Sequence, residues 1–127
     1  MTQNCPCGRS RSFELCCQKI HIDISKAITA EDLMRSRYTA FTIGNGDYLM
    51  KSHHPLTRRP DQKDSIVKWA NSVDWIRLEI IDVNRGGAFD YEGTVEFKAH
   101  FKEKGKIQFL HEKSVFKKEY GTWLYYE

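Results

Sequence analysis

Cysteine is absent from residues 18–127, because all four cysteines of the chain lie within its first seventeen residues. A disulfide scaffold that staples a whole small domain has cysteines distributed along the sequence. The chain also lacks an apolar run long enough to cross a bilayer. Met1–Asn4 lack the basic and apolar segments that open a secretory signal. We therefore expect a cytoplasmic protein without a membrane span, whose thiols stay reduced.

The familiar catalytic signatures are also missing. The sequence contains no Gly-x-Ser-x-Gly elbow, no phosphate-binding glycine loop, no His-Glu-x-x-His motif and no dinucleotide fingerprint. His111 and Glu112 are adjacent titratable residues, but on a strand their side chains would point to opposite faces. No catalytic residue is predicted, and the sequence favours binding over catalysis.

Charge of one sign is not concentrated anywhere in the chain. The formal net charge is only +3. Basic pairs such as Arg58 and Arg59 are interleaved with acidic residues, whereas nucleic-acid-binding domains usually show a concentrated basic surface. We therefore expect no nucleic-acid partner. With 127 residues, 40% hydrophobic and 29% charged, the chain has the composition of a small globular protein.

The four cysteines form two closely spaced pairs. Cys5 and Cys7 flank Pro6, and Cys16 and Cys17 follow after eight residues. Two such pairs on a tight loop can supply the four thiolates of a tetrahedral zinc site. Because four cysteines close the coordination shell, this zinc would be structural rather than catalytic.

Other uses of the thiols remain as alternatives to zinc. Two disulfides are disfavoured because adjacent cysteines bridge only with strain and because no secretory signal is found. An iron–sulfur cluster is disfavoured because its binding loops use longer ligand spacings. Thiols without a joint role, or thiols that sense redox state, are the remaining alternatives.

The segment CPCGRSRSFELCC resembles the SEC-C motif, a compact bacterial zinc knuckle with the spacing Cys-x-Cys-x8-Cys-Cys/His. Gly8-Arg9-Ser10 replaces the motif's usual Gly-Ser-Gly, but the four ligand positions are intact. Downstream, LMRSRYTAFTIGNGDYLMKSHHPLTR, GTVEFKAHF, LHEKSVF and GTWLYYE resemble the YchJ family of uncharacterised bacterial proteins. The resemblance implies a zinc knuckle that offers a small rigid surface to a protein partner. It also implies a cystatin-like domain of the nuclear-transport-factor-2 (NTF2) type.

Helical spacing dominates the chain as far as residue 70. Thr29, followed by Glu31 and Asp32, predicts a capped helix start, and Gly44 and Gly46 predict its end. The apolar stripe between these signals is Leu33, Met34, Tyr38 and Phe41. A second short helix over residues 48–50, capped by Asp47 and ended by Pro55, and a third over 66–70 are also predicted.

Alternation replaces helical spacing from Trp75 onward. The inward positions predicted for the first two strands are Ile76, Leu78 and Ile80, and then Val95, Phe97, Ala99 and Phe101. Turns are predicted at 85–87, 104–106 and 119–122. A third strand begins with Ile107 and Phe109 and later presents Val115 or Phe116, which predicts a bulge between them. A fourth strand covers 123–126.

Helices followed by an antiparallel meander predict an α+β fold, with an N-terminal zinc knuckle and helices packed on a curved antiparallel sheet. We expect two parts, a SEC-C-like knuckle over residues 1–22 and a cystatin-like cone over residues 28–127. A curved sheet closed by helices can enclose a ligand cavity, so a small-molecule-binding protein or enzyme is the alternative to a protein-interaction module.

Polar and aromatic residues at packing positions are the candidates for lining such a cavity. They are Tyr38, His54, Arg58, Trp69, Arg77, His111 and Trp123. Each has a plain structural alternative, since tryptophan is usually core and a lone histidine usually has a structural partner. Within the loop HHPLTR, Arg58 could offer forked donors and His54 a switchable proton to an anionic ligand. Trp69 or Trp123 would then form an apolar wall.

Overall fold

The computed structural model describes residues 4–127. Its helices are α1 (Cys17–Ile22), α2 (Ala30–Ile43), α3 (Gly46–Lys51) and α4 (Lys63–Ser72). Its strands are β1 (Asp74–Arg85), β2 (Glu92–Glu103), β3 (Lys106–Glu119) and β4 (Thr122–Tyr125), joined in that order into one antiparallel sheet. Helix α2 packs on this sheet and α4 packs on α2, which confirms the predicted α+β class.

Helix α2 has the boundaries that its end signals predict. The Thr29 side chain accepts a hydrogen bond from the Asp32 amide, and the Asp32 carboxylate accepts one from the Thr29 amide. This reciprocal capping box satisfies donors that the first helical turn leaves free. Gly44 ends the helix with φ 69°, a left-handed conformation that glycine adopts without a Cβ clash.

Helix α3 differs from its prediction in the residue that caps it. The Asn45 side chain accepts a hydrogen bond of 3.1 Å from the Tyr48 amide, and the helix begins at Gly46. Asp47 is therefore inside the first turn, where it pairs with Lys63 of α4. The helix ends at Lys51, ahead of Pro55, because the next residues pair with β4. The Tyr125 amide donates to the Ser52 carbonyl, and the His54 amide donates to the Tyr125 carbonyl.

Two tight turns set the register of the last three strands. Lys104 and Gly105 have φ of 52° and 80°, and Tyr120 and Gly121 have φ of 51° and 80°. Two consecutive residues with positive φ form the type I′ turn, whose twist matches that of paired antiparallel strands. The turns predicted at 104–106 and 119–122 are thus confirmed.

The inward face of β1 differs from the predicted alternation. The pairing of β1 with β2 shifts between Trp75 and Arg77 and again between Ile80 and Asp82. The first bulge leaves Ile76 50% exposed, whereas Trp75 stacks against Phe101 on the helix-covered face. The prediction that Ile76 faces the core was wrong, because a bulge inserts a residue that breaks the two-residue period.

The bulge expected in β3 is absent, since its pairing with β2 runs without a shift from Glu92–Lys117 to Glu103–Lys106. Ile107 and Phe109 instead lie on the face opposite the core, where Phe109 contacts His100 and Lys98. The apolar residues at the two ends of this strand therefore belong to opposite faces of the sheet.

The core lies between α2, α3 and the sheet. Its largest fully buried side chains are those of Trp123, Phe116, Leu33, Leu49 and Val95. The Trp123 indole donates to the Ile28 carbonyl at 3.1 Å, which ties the last strand to the segment before α2. Within residues 4–127, no helix is long and apolar enough to cross a membrane.

Candidate metal centre and ligand cavity

The four cysteines converge in a buried cluster. The sulfurs of Cys5, Cys7, Cys16 and Cys17 all lie within 4.8 Å of one another, and those of Cys7 and Cys16 are 3.6 Å apart. In a tetrahedral zinc site with Zn–S bonds of about 2.3 Å, neighbouring sulfurs are about 3.8 Å apart. Gly8 has φ 98°, which lets the chain turn directly after Cys7. The cluster can hold one metal ion.

The close packing of the four thiols shifts their ionisation unequally. Hydrogen bonds with the sulfurs of Cys5 and Cys7, together with burial, raise the pKa of Cys17 far above its ordinary value. Hydrogen bonds with Cys17 and Cys7 lower the pKa of Cys5. Four buried sulfurs at this distance cannot all be thiolates unless a positive charge compensates them, and a divalent ion supplies that charge.

The cysteine loop, residues 5–17, packs directly on α2. Arg35 donates to the Cys7 carbonyl at 2.6 Å, and the Thr39 hydroxyl donates to the Cys17 sulfur at 3.3 Å. His21 of α1 contacts the Ser36 carbonyl at 2.7 Å, and burial lowers its pKa. The loop therefore shares a tight interface with α2, and a division of the chain at 1–22 and 28–127 stays a prediction.

A cavity of about 230 Å³ lies on the other side of α2. Its walls are largely aromatic and aliphatic, and its lining residues are Met34, Arg37, Tyr38, Phe41, Ile66, Trp69, Trp75, Phe97, Ala99, Leu110, Glu112, Ser114 and Tyr125. Leu110 and Glu112 are exposed, because α2 and α4 do not cover the first half of β3. The cavity opens to solvent along this strand.

Arg37 is the buried cation of this cavity. Its side chain is 7% exposed, and its Nη1 donates to the Leu49 carbonyl at 2.8 Å and to the Ser52 hydroxyl at 2.6 Å. The guanidinium carbon lies 4.5 Å from the centre of the Tyr125 ring. Burial lowers the pKa of Arg37 to about 10, so the group remains charged at neutral pH.

Further polar groups line the cavity around Arg37. Burial raises the pKa of Tyr38 to about 12 and also raises that of Tyr125, so both phenols are neutral hydrogen-bond donors at physiological pH. Ser114 is buried on the inner face of β3. Glu112 follows Leu110 on the same face and is the carboxylate of the cavity wall.

Of the seven residues predicted to line a cavity, Tyr38 and Trp69 do so. His54 and Arg58 are not among the lining residues. The His54 ring is buried, where Nδ1 accepts from the Leu56 amide at 3.1 Å and Nε2 lies 2.9 Å from Glu119. Arg58 donates to the His53 carbonyl through Nε and Nη2. Both side chains thus hold the loop HHPLTR in place.

The other three candidates also lie away from the cavity. Arg77 is exposed on β1 beside Glu79. His111 lies on the opposite face of β3 from Glu112 and bonds Glu96 at 2.7 Å. Trp123 is fully buried and serves the core.

The sequence-based prediction of cavity-lining residues omitted Arg37 and Glu112, although the position of each in its element indicated burial. Arg37 is three residues after Met34 and four before Phe41, so it falls within the apolar stripe of α2. Glu112 has the same parity along β3 as the buried Phe116. In each case a charged residue occupies a position at which the period of the helix or strand predicts a buried side chain.

These observations define a class of protein: a four-cysteine SEC-C-type loop packed on a small α+β domain with helices over an antiparallel sheet. The family described as "YchJ, middle NTF2-like domain" matches residues 29–127. The chain belongs to this family, as the resemblance implied.

Relatives and solved structures cover nearly the whole chain. A UPF0225 protein of Vibrio parahaemolyticus is 40% identical over 98% of this chain and 74% of its own length. One from Streptomyces coelicolor is 44% identical over 98% of this chain and 93% of its own. The solution structure of a SEC-C motif-containing protein from Rhodopseudomonas palustris superposes with a TM-score of 0.81 at 30% identity, covering 98% and 96% of the two chains. The crystal structure of a sec-c motif-containing protein from Psychrobacter arcticus gives 0.76 at 30% identity, covering 98% and 81%.

Proposed function

We propose that the chain is a small-molecule-binding protein of the cytoplasm whose fold is completed by one structural zinc ion. The observation that carries the proposal is the cavity, which combines aromatic walls with a buried arginine. Ligand sites are typically concave and mostly apolar, with a few polar groups that fix the orientation of the ligand. A volume of about 230 Å³ indicates a ligand smaller than a typical drug molecule.

Zinc is the metal that the donor set favours. Four cysteine sulfurs in a closed, buried cluster match structural zinc sites, in which the metal contributes directly to folding. In this chain the ion would join the cysteine loop and, through Thr39 and Arg35, hold that loop against α2. Because no coordination position stays open, the zinc would take no part in catalysis.

Filling the cavity tests the proposed function. Leu110→Trp places a large side chain at the cavity mouth, and Phe109→Trp makes the same change one residue away, on the opposite face of β3. Benzoate and benzamide are flat probes of suitable size, and each is titrated into ¹⁵N-labelled protein. We expect saturable shifts around Tyr38 and Trp69 in the wild type and in Phe109→Trp, and their loss in Leu110→Trp. Absence of saturable binding at millimolar probe, or equal binding by both variants, would contradict the proposal.

A protein partner bound by the cysteine loop is the second candidate function. Two apolar side chains close to the four-cysteine cluster are exposed, Leu15 by 59% and Ile22 by 75%. The SEC-C resemblance also implies a protein partner at this loop. The double variant Leu15→Ser/Ile22→Ser should lose a partner that Leu110→Trp retains. Leu56→Ser, which removes an exposed leucine elsewhere, is the matched control, and chemical cross-linking in bacterial cells is the measurement. Partners that survive the double variant would exclude this surface.

A further inference from the structure

The hydrogen bonds of Arg37 leave one edge of its guanidinium group free. Both hydrogen bonds that Arg37 donates within residues 4–127 come from Nη1. The salt bridges among these residues do not include Arg37. Buried charges in proteins are normally paired, because an uncompensated ion in a low-dielectric interior is costly. Among the described residues, the Nε–Nη2 edge of Arg37 therefore has no directly bonded anion, and Glu112 acts on the guanidinium without contacting it.

The position of Arg37 is fixed before any ligand arrives. Leu49 and Ser52 hold Nη1 from α3 and its C-terminal cap, and the Tyr125 ring lies against the guanidinium plane. A guanidinium held in this way presents Nε and Nη2 as a rigid fork, which matches the two oxygens of a carboxylate. Because the fold already orders the Arg37 side chain, binding of a ligand costs less conformational entropy.

The charges of the cavity limit the charge of its ligand. Arg37 contributes one positive charge, and Glu112 is the carboxylate on the same wall. Together these two residues leave the wall without net charge. A monoanion therefore adds one uncompensated negative charge near Glu112, whereas a dianion such as a phosphate monoester adds two. Ser114 and Tyr38 add neutral hydroxyl donors, which suit carboxylate oxygens.

The rest of the wall determines the shape of the ligand. Trp69 and Trp75 pack edge to face at 5.5 Å, and Tyr38 packs edge to face on Trp75 at 5.7 Å. These rings make the wall largely apolar, and a planar or compact hydrocarbon body packs well against aromatic side chains.

We propose that the cavity binds a small monocarboxylate with a flat apolar body, whose carboxylate pairs with the Nε–Nη2 edge of Arg37. The inference rests on the proposed small-molecule-binding function and adds the chemical class of the ligand. Glu112 stands at the open side of the cavity as a selectivity group that disfavours further negative charge.

Benzoate and benzamide test the ligand class because they share size and shape but differ in charge. Their affinities for the full chain are measured by ¹H–¹⁵N spectra that include the arginine Nε–Hε region. We expect benzoate to bind about tenfold more tightly than benzamide, as a charge-assisted hydrogen bond predicts. Benzoate should shift the Nε–Hε resonance of Arg37 and leave that of Arg58 unchanged.

Three variants separate the contributions to this preference. Arg37→Gln should lower benzoate affinity about tenfold or more and change benzamide affinity by less than about twofold. Glu112→Gln, at an exposed position, should raise benzoate affinity by about two- to threefold through lost repulsion. Arg58→Gln, which removes a guanidinium outside the cavity, should change neither affinity. If Arg37→Gln does not fold, the wild-type Nε–Hε shift and Glu112→Gln decide the question.

The outcomes distinguish this inference from the proposed function beneath it. Equal affinities for benzoate and benzamide, both abolished by Leu110→Trp, would overturn the carboxylate assignment and leave a neutral-ligand cavity. A benzoate preference that survives Arg37→Gln would assign the anion to another group and overturn the role of Arg37. No saturable binding of either probe would overturn both proposals.

Discussion

The hydroxyl of Thr39 donates a hydrogen bond to the sulfur of Cys17 at 3.3 Å and lies 3.7 Å from the sulfur of Cys5. Thr39 is fully buried in the middle of α2. A residue of the long helix thus contacts two of the four candidate metal ligands. Such outer contacts orient metal ligands and tune the affinity of the site.

Replacing Thr39 should weaken metal binding without removing a ligand. Thr39→Val keeps the shape of the side chain and deletes the hydroxyl, so we expect zinc affinity to fall by roughly 10- to 100-fold. Competition with a chromogenic chelator measures the change. Thr42→Val is the matched control, because the Thr42 hydroxyl only donates to the Thr39 carbonyl. Unchanged affinity in Thr39→Val would mean that its hydrogen bond to Cys17 has no influence on the metal.

Metal content tests the zinc assignment itself. Freshly purified, reduced protein should contain one zinc per chain by elemental analysis, and Cys16→Ser should lose most of it because a thiolate ligand is removed. Chelation should disorder the loop as far as about residue 20 while the core around Trp123 stays folded. Ser10→Ala, an exposed change inside the same loop, should retain the metal. Protein without zinc, or with iron in its place, would refute the assignment.

The sequence was most informative wherever local chemistry determined the structure. The capping box of Thr29 and Asp32, the left-handed Gly44 and the two type I′ turns depend on neighbouring residues, and their positions were predicted. The four cysteines were found by spacing, and the structure clusters them.

The remaining features depended on contacts between distant residues. The bulge at Ile76 follows from Trp75 packing among rings of α2, α4 and β2, which no local pattern encodes. Arg58 was predicted to bind an anion because its forked donors lie in a loop expected at the cavity mouth. The guanidinium of the cavity wall is instead that of Arg37, within an apolar stripe. Periodicity predicts which face of a helix is buried, but it does not predict that a charged residue on that face lines a cavity.

Two glycines with similar backbone conformations should tolerate alanine differently. Gly86 (φ 76°) and Gly105 (φ 80°) both lie in the left-handed region, but a Cβ on Gly86 would come within 2.7 Å of Ala30 Cβ. A Cβ on Gly105 meets nothing within 4 Å. We expect Gly105→Ala to lower the free energy of unfolding by about 1 kcal/mol, and Gly86→Ala by a further 1–3 kcal/mol, roughly the cost of overpacking. Urea denaturation of both variants measures the difference, and equal losses would exclude a packing contribution at Gly86.

Protonation of His53 should make stability depend on pH. Burial, reinforced by the charges of Arg37 and Arg58, lowers the pKa of His53 from 6.5 to about 4. Between these values the unfolded chain binds a proton that the folded chain does not, so the free energy of unfolding falls as the pH decreases from 6.5 to about 4. Above 6.5 this contribution is constant.

The comparison of two histidine variants isolates this contribution from other groups. His53→Gln should flatten the decline in the free energy of unfolding over this pH range, as measured by urea denaturation at several pH values. His111→Gln, on the outer face of β3, serves as the control. An identical pH slope in His53→Gln and the wild type would show that His53 is protonated equally in both states.

Helix α2 separates the cysteine cluster from the cavity and contributes to both. Its Arg35, Ser36 and Thr39 face α1 and the cysteine loop, while Met34, Arg37, Tyr38 and Phe41 line the cavity on the opposite side. If a ligand in the cavity shifts helix α2, it changes the free energy of metal binding. By thermodynamic reciprocity, metal binding then changes the free energy of ligand binding by the same amount. A ligand that raises the affinity of the cluster for the metal would itself bind more tightly to the metallated chain.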